Sequence, residues 1–190
     1  MGRNVVLGVC GSIAAYKSAE IVRELRKNGW TVKVVMTAAA RQFITPLTLS
    51  TLSGNPVYCE MFSPDAHSRP REDHIALSEF ADVILVAPAT ASIIGKAACG
   101  ICDDLLTCTI LASGCGVVFA PAMNDRMWKN GIVRANVEKL EESGCLFVGP
   151  EEGELASGKT GTGRLAATGK IVAAAESMAD SHKGRDKKKC

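Results

Sequence analysis

The chain is short of aromatic side chains, of net charge and of long apolar runs. Aromatics are 5% of its 190 residues, and the formal charge is only +2. So even a balance does not advertise nucleic acid or an anionic membrane as a partner. A small anion can still be held by local geometry. No run approaches the ~18 apolar residues of a membrane span. The N-terminal MGRNVVLGVCGSIAAYK carries one Arg before an apolar run too brief for a signal peptide, and it reads as a first buried strand. The expectation is a soluble cytoplasmic protein. Histidine is scarce, with three in all, and of the eight cysteines Cys99 and Cys102 stand as Cys-x-x-Cys. No second pair lies at metal spacing, so the pair reads as structural or redox, with the structural reading preferred and the thiols expected to be mostly buried and reduced. There is no Gly-x-Gly-x-x-Gly, no P-loop lysine and no internal repeat.

What is present is enough apolar material for one core, at 47% of residues. Apolar, β-branched runs at Val5–Cys10, Thr31–Met36, Val83–Ala87, Val117–Ala120 and Leu146–Val148 lack alternation, as strands covered on both faces do. Helical patterns separate them. One runs from Ile13 to Lys27 and stops at Asn28-Gly29. The second runs from Ile93 to Ala112, interrupted by Gly100. The third runs from Ile132 to Glu142 and closes at Ser143-Gly144. Strand alternating with helix predicts a three-layer α/β/α fold around a doubly wound parallel sheet, Rossmann- or flavodoxin-like. Ser63–Asp73 reads as a polar surface loop and the Gly-rich Gly149–Gly163 as an irregular loop or lid. The domain is expected to end near residue 179, followed by a disordered basic tail over 180–190.

Such a sheet binds ligands where its strands run out into helices. The first junction, Gly8-Val-Cys-Gly11-Ser12-Ile13-Ala14, offers helix amides and a hydroxyl to an anion, phosphate being the natural guest. The second holds Thr37, Ala38 and Ala39, either a plain cap or a further contact to the same phosphate. The third is Ala87-Pro88-Ala89-Thr90-Ala91-Ser92, where Pro88 is expected to end the strand and either small residues admit a flat ring or Thr90 is a plain helix cap. The fourth, Ala120-Pro121-Ala122-Met123-Asn124-Asp125-Arg126-Met127-Trp128, sets an amide donor and acceptor just past a buried strand. His74 opens a helix, where the dipole favours neutral imidazole; as a lone histidine it is catalytic or merely structural.

GSIAAYK at 11–17, His74, APATASIIGKAACGICDDLLT at 87–107 and PAMNDRMW at 121–128 together resemble the homo-oligomeric flavin-containing cysteine decarboxylases. The resemblance covers about Asn4 to Met178. It implies FMN held by Gly11, Ser12, Ile13, Thr37, Ala38, Ala39, Thr90, Ala91, Ser92, Ile93 and Ala122 at the edge of a subunit interface. The site is shared between copies, in a trimer or a dodecamer of trimers. It implies His74 as the catalytic histidine and Asn124, beside Met123, as the holder of the substrate carboxylate. Asp103-Asp104-Leu105 would be a polar helix start near the flavin. The Gly-rich loop becomes a substrate clamp, with Ala156 and Ser157 at its tip and Lys159 or Arg164 meeting a substrate phosphate.

The implied reaction is oxidative decarboxylation of a terminal cysteine. The resemblance implies 4′-phosphopantothenoylcysteine as substrate and a phosphopantothenate–cysteine ligase as fused or separate partner. The cysteine passes to a thioaldehyde, carbon dioxide leaves, and the ene-thiol is reduced again to 4′-phosphopantetheine, without an external nicotinamide. One departure stands out. The family clamp commonly reads Ala-Cys-Gly, its Cys supplying a proton to the last reduction; here it reads Ala156-Ser157-Gly158. Ser157 is a natural variant, an engineered trap, or the mark of an enzyme that stops at the ene-thiol; the first is favoured. The alternatives are a peptidyl-cysteine decarboxylase, an FMN prenyltransferase-like protein and a non-catalytic subunit of the same fold.

Overall fold

The computed structural model describes residues 3–62 and 73–186. Six parallel strands form the central sheet: β1 (Arg3–Val9), β2 (Trp30–Met36), β3 (Val57–Tyr58), β4 (Val83–Ala89), β5 (Gly116–Pro121) and β6 (Leu146–Phe147). Their spatial order is β3-β2-β1-β4-β5-β6. The chain winds outward from β1 to β3, then crosses to the other side of β1. The strand order therefore reverses between β1 and β4, and a crevice opens there at the carboxyl ends. The doubly wound expectation holds. The two-residue β3 went unread because Val57-Tyr58 carries too little pattern.

Burial of β4 and β5 at every position explains why their sequences do not alternate. On one face pack α1 (Ser18–Lys27), α2 (Pro46–Ser53) and α8 (Thr168–Asp186), and Ile21, Val22 and Leu25 of α1 are fully buried. Each such side chain contributes roughly 1.5–3 kcal/mol. On the other face pack α3 (Asp73–Phe80), α4 (Ala91–Cys99), α5 (Leu105–Ala112) and α7 (Gly131–Glu142), around Ile94, Leu106 and Phe119. The expected helix from 13 to 27 begins with a 3₁₀ turn, Ile13–Lys17, before α1. The expected helix from 93 to 112 is two helices. Gly100 ends α4 in the left-handed conformation (φ 70°), which only glycine adopts without strain, and Asp104 starts α5 with a full capping box.

Three expectations are corrected. Pro88 lies inside β4, which runs on to Ala89. The ladder to β5 shifts register between Val86 and Ala89, and the Pro88 carbonyl accepts the Cys10 N–H at 3.3 Å. The Gly-rich stretch is an antiparallel ribbon, β7 (Glu151–Glu154) and β8 (Thr160–Arg164), because its alternating Gly and Thr let two short strands pair. The boundary near 179 falls within α8, which continues to Asp186; Ala179 is buried and Asp180 pairs with Arg3 at 2.9 Å. The last four residues, and all of the Ser63–Asp73 segment except Asp73, lie outside the described residues.

Candidate active site

A cavity of about 990 Å³ opens at the reversal point, lined from four strand ends and the ribbon. β1 supplies Cys10, Gly11, Ser12, Ile13 and Ala14; β2 supplies Thr37, Ala38 and Ala39. β4 leads into Thr90, Ala91, Ser92 and Ile93, and β5 into Ala122, Met123 and Asn124. All eleven positions expected to hold the cofactor therefore face one space, although they come from four separate stretches.

Small residues are required there by close approach. A Cβ on Gly11 would run into the Ala39 side chain, so the β1 and β2 turns touch only because position 11 has none. The hydroxyls are first of all caps. Ser12 Oγ accepts the Ala14 N–H at 3.3 Å and donates to the Ala122 carbonyl at 3.3 Å, tying the β1 turn to the end of β5. Thr37 Oγ1 accepts the Ala40 N–H at 3.3 Å, and Thr90 Oγ1 accepts the Ile93 N–H at 3.4 Å. The plain-cap reading is thus correct for these hydroxyls. It coexists with exposure to the cavity, which turns the same caps into a polar floor.

Asn124 is the N-cap of α6 (Asp125–Lys129): its carbonyl oxygen accepts the Arg126 N–H at 2.9 Å. That bond orients the amide and leaves its NH₂ as the donor presented to a ligand, the right polarity for a carboxylate. The ribbon packs over this loop. The Met123 N–H donates to the Gly163 carbonyl at 3.0 Å, and a Cβ on Gly163 would strike the Met123 carbonyl oxygen. At the ribbon's end the Leu155 N–H bonds to the Lys159 carbonyl and the Gly158 N–H to the Leu155 carbonyl, both at 2.8 Å. This turn points Ala156 and Ser157 at the cavity, with Leu155 and Glu154 beside them.

Two expected residues are not brought there. Lys159 is exposed on the closing arm of the turn and does not line the cavity. His74 sits half-buried in the first turn of α3, which packs on α5, and also does not line it. Arg164 does line it, beside Leu165. Sequence reasoning missed Tyr16, Lys17 and Lys96. Lys96 bonds to Asp103 at 2.7 Å and approaches Asp104 at 3.5 Å. The Asp103 hydrogen bond is the main reason its ammonium is held above the usual lysine range. The spacing of seven and eight residues would have suggested the pairing only with the Gly100 turn in hand. The cysteines are less buried than expected: Cys10 is buried, Cys99 and Cys102 are exposed, and among the described residues no three potential ligands cluster for a metal.

A small-residue cradle at the reversal point of a doubly wound sheet defines a mononucleotide-type site in an α/β protein. Comparison narrows the class. The chain belongs to the flavoprotein family, which matches it over residues 1–179. It is 45% identical over 177 residues to the coenzyme A biosynthesis bifunctional protein CoaBC of Vibrio cholerae, and 45% identical over 174 residues to that of Bacillus subtilis. These alignments cover 93% and 92% of this chain but only 44% and 42% of the relatives, so the chain spans less than half their length. Among solved structures, a Cys-to-Ser mutant of PPC decarboxylase complexed with pantothenoylaminoethenethiol superposes with a TM-score of 0.81 at 31% identity, covering 93% of this chain and 97% of that one. The FMN-dependent cysteine decarboxylase SpaF gives 0.80 at 33%, covering 94% and 97%.

Proposed function

We propose that the chain binds FMN and decarboxylates 4′-phosphopantothenoylcysteine to 4′-phosphopantetheine in coenzyme A biosynthesis, as a cytoplasmic enzyme. The observation that carries this reading is the convergence of the Gly11–Ile13, Thr37–Ala39, Thr90–Ile93 and Ala122–Asn124 turns on one cavity under the ribbon. The residues fit the cofactor: the position-11 cradle tolerates no Cβ, and Ser12 and Thr90, each capping a helix start at the cavity, suit a phosphate. When bound, the flavin supplies a reversible two-electron store for the carbon that carries the substrate thiol.

The protein's own part is positioning. The Asn124 NH₂ holds the departing carboxylate, and its cap bond to Arg126 keeps the amide from turning. The ribbon closes the cavity mouth and excludes water. Arg164 meets the substrate phosphate; Ser157 lies at the reacting end, its hydroxyl a hydrogen-bond donor in place of the thiol of related clamps. His74 works from a neighbouring copy. In support, it stands off its own chain's cavity, while Ile13, Tyr16 and Met127 leave apolar surface exposed at the cavity rim for a second copy to cover. The FMN-binding unit runs through α8, past residue 179 to about residue 186, and a ligase unit, fused or separate, supplies its substrate.

The test is direct. Purified protein is yellow, releases FMN and not FAD on denaturation, and converts the phosphorylated substrate with loss of carbon dioxide. A colourless protein that takes up no added FMN sinks the reading. Ser157 favours one second reading, a peptidyl-cysteine decarboxylase that stops at the ene-thiol. A product two hydrogens short of the saturated thiol would select it.

A further inference from the structure

Arg164 leaves β8 at the cavity edge, and its guanidinium does not hang free. It lies across Gly153 of the paired strand, where an added Cβ would stand 3.1 Å from Arg164 Cζ and Nη1. Its Nη2 lies 3.5 Å from Glu151 Oε2. The other oxygen of Glu151 takes Lys170 Nζ at 2.8 Å. Lys170 belongs to α8, whose buried face packs on the sheet, so Glu151 ties a ribbon side chain to the body of the domain. The Glu151 carboxyl is held below the usual carboxylate range, first by the Lys170 hydrogen bond and also by the Ala167 backbone N–H.

We propose that Glu151, anchored by Lys170 and working over the bare backbone of Gly153, is a positioning residue that aims Arg164 at the phosphate monoester of a bound ligand. The inference rests on the functional reading above. Its logic is one of shared charge. Glu151 spends its short bond on Lys170 and meets Arg164 only at 3.5 Å, so two cations share one carboxylate and the guanidinium keeps net charge for a dianion. Glu154 also lines the cavity. Without Glu151 the guanidinium has that second carboxylate to swing toward, and the phosphate loses its partner.

Two ligands of the site carry such a phosphate, the substrate and FMN, and the experiment separates them. Glu151→Gln, Gly153→Ala and Lys170→Gln are compared with the parent for KM and kcat on phosphorylated and unphosphorylated pantothenoylcysteine, and for affinity toward FMN and riboflavin. If the substrate phosphate is the target, Glu151→Gln raises KM for the phosphorylated substrate on the order of tenfold. KM for the unphosphorylated one and kcat stay put. If FMN is the target, FMN affinity falls while riboflavin affinity does not. Gly153→Ala gives the same pattern without removing a charge, and Glu151→Asp restores part of it. Adding Glu151→Gln to Arg164→Gln costs nothing further. Equal effects on phosphorylated and unphosphorylated ligands, or additive effects of the two Gln variants, overturn the proposal. A parent enzyme that turns over neither substrate refutes the functional reading, and the flavin arm still decides the role of Glu151.

Discussion

The sheet end and the ribbon enclose the same cavity by opposite means. The turns after β1, β2, β4 and β5 hang from strands buried on both faces, so their positions are determined by the packing beneath them. The ribbon has almost no core of its own. Three of its nine strand residues are glycine, and it is held by the Met123–Gly163 bond and the charges around Glu151. Precision at the sheet end comes from burial; at the ribbon it comes from a few polar contacts, which open at lower cost than a packed core.

The largest effect that could break this division is steric. Gly11→Val forces branched carbons into Ala39, between two turns with no slack, and overpacking there costs about 1–3 kcal/mol or more. The variant is expected to lose flavin and turnover together. Gly163→Val intrudes equally on the Met123 carbonyl oxygen, but it lifts only the ribbon. It should keep the yellow colour, with flavin content within about twofold of the parent, while decarboxylation collapses. Absorbance of purified protein and carbon dioxide release check both. Loss of flavin from the Gly163 variant would mean the two regions are one cooperative unit.

A smaller effect sits at their seam. Asn124→Asp keeps an oxygen for the Arg126 N–H, because Asp caps helices as well as Asn does. It exchanges the NH₂ donor for negative charge facing a carboxylate. Thermal stability and flavin content should hold, and kcat/KM should fall on the order of 100-fold. Unchanged turnover would remove Asn124 from substrate binding and leave it a cap.

The same contrast explains what could be read beforehand. The sheet was legible because doubly buried strands write continuous Val, Ile and Leu runs, and their junctions announce themselves with Gly, Ser and Thr. The junctions around Ser12, Thr37, Thr90 and Asn124 followed from that rule, while the full set of contacts came from the family resemblance. The ribbon was not legible. Glu-Glu-Gly-Glu and Thr-Gly-Thr-Gly-Arg have neither apolar alternation nor a hairpin dipeptide, so their pairing is visible only in three dimensions. Lys159 and Arg164 stood as alternatives for the same reason, since a turn's closing arm cannot be told from its inner arm without the register. Lys96 was hidden because its partners lie across the Gly100 break. His74 was read from the family resemblance as the catalytic histidine of a site shared between copies, and within one chain it stands outside this cavity.

The smallest effect separates the regions by pH. Cys10 is buried at the cavity floor, and desolvation pushes its thiol up to about 12, only partly offset by the Thr90 backbone hydrogen bond. The folded chain keeps this proton between pH 9 and 12, where the unfolded chain releases it. Its contribution is whole below the unfolded value and fades as pH rises through that window. Glu151, on the ribbon, has the opposite sign: its folded value is lowered, so its contribution is present above the ordinary carboxylate range and fades as acid protonates it. Alkaline loss therefore belongs to the sheet and part of the acid loss to the ribbon. Urea midpoints from pH 4 to pH 10.5 should show Cys10→Ala flattening the alkaline limb and Glu151→Gln trimming the acid one. Cys115 and Cys145, also pushed up by burial, preserve a residual alkaline slope in the Cys10 variant. The acid change is the slighter of the two, because an ion pair this open to solvent is screened. An alkaline limb identical in parent and Cys10→Ala would show that water reaches the cavity floor, and that the junction turns are no better packed than the ribbon above them.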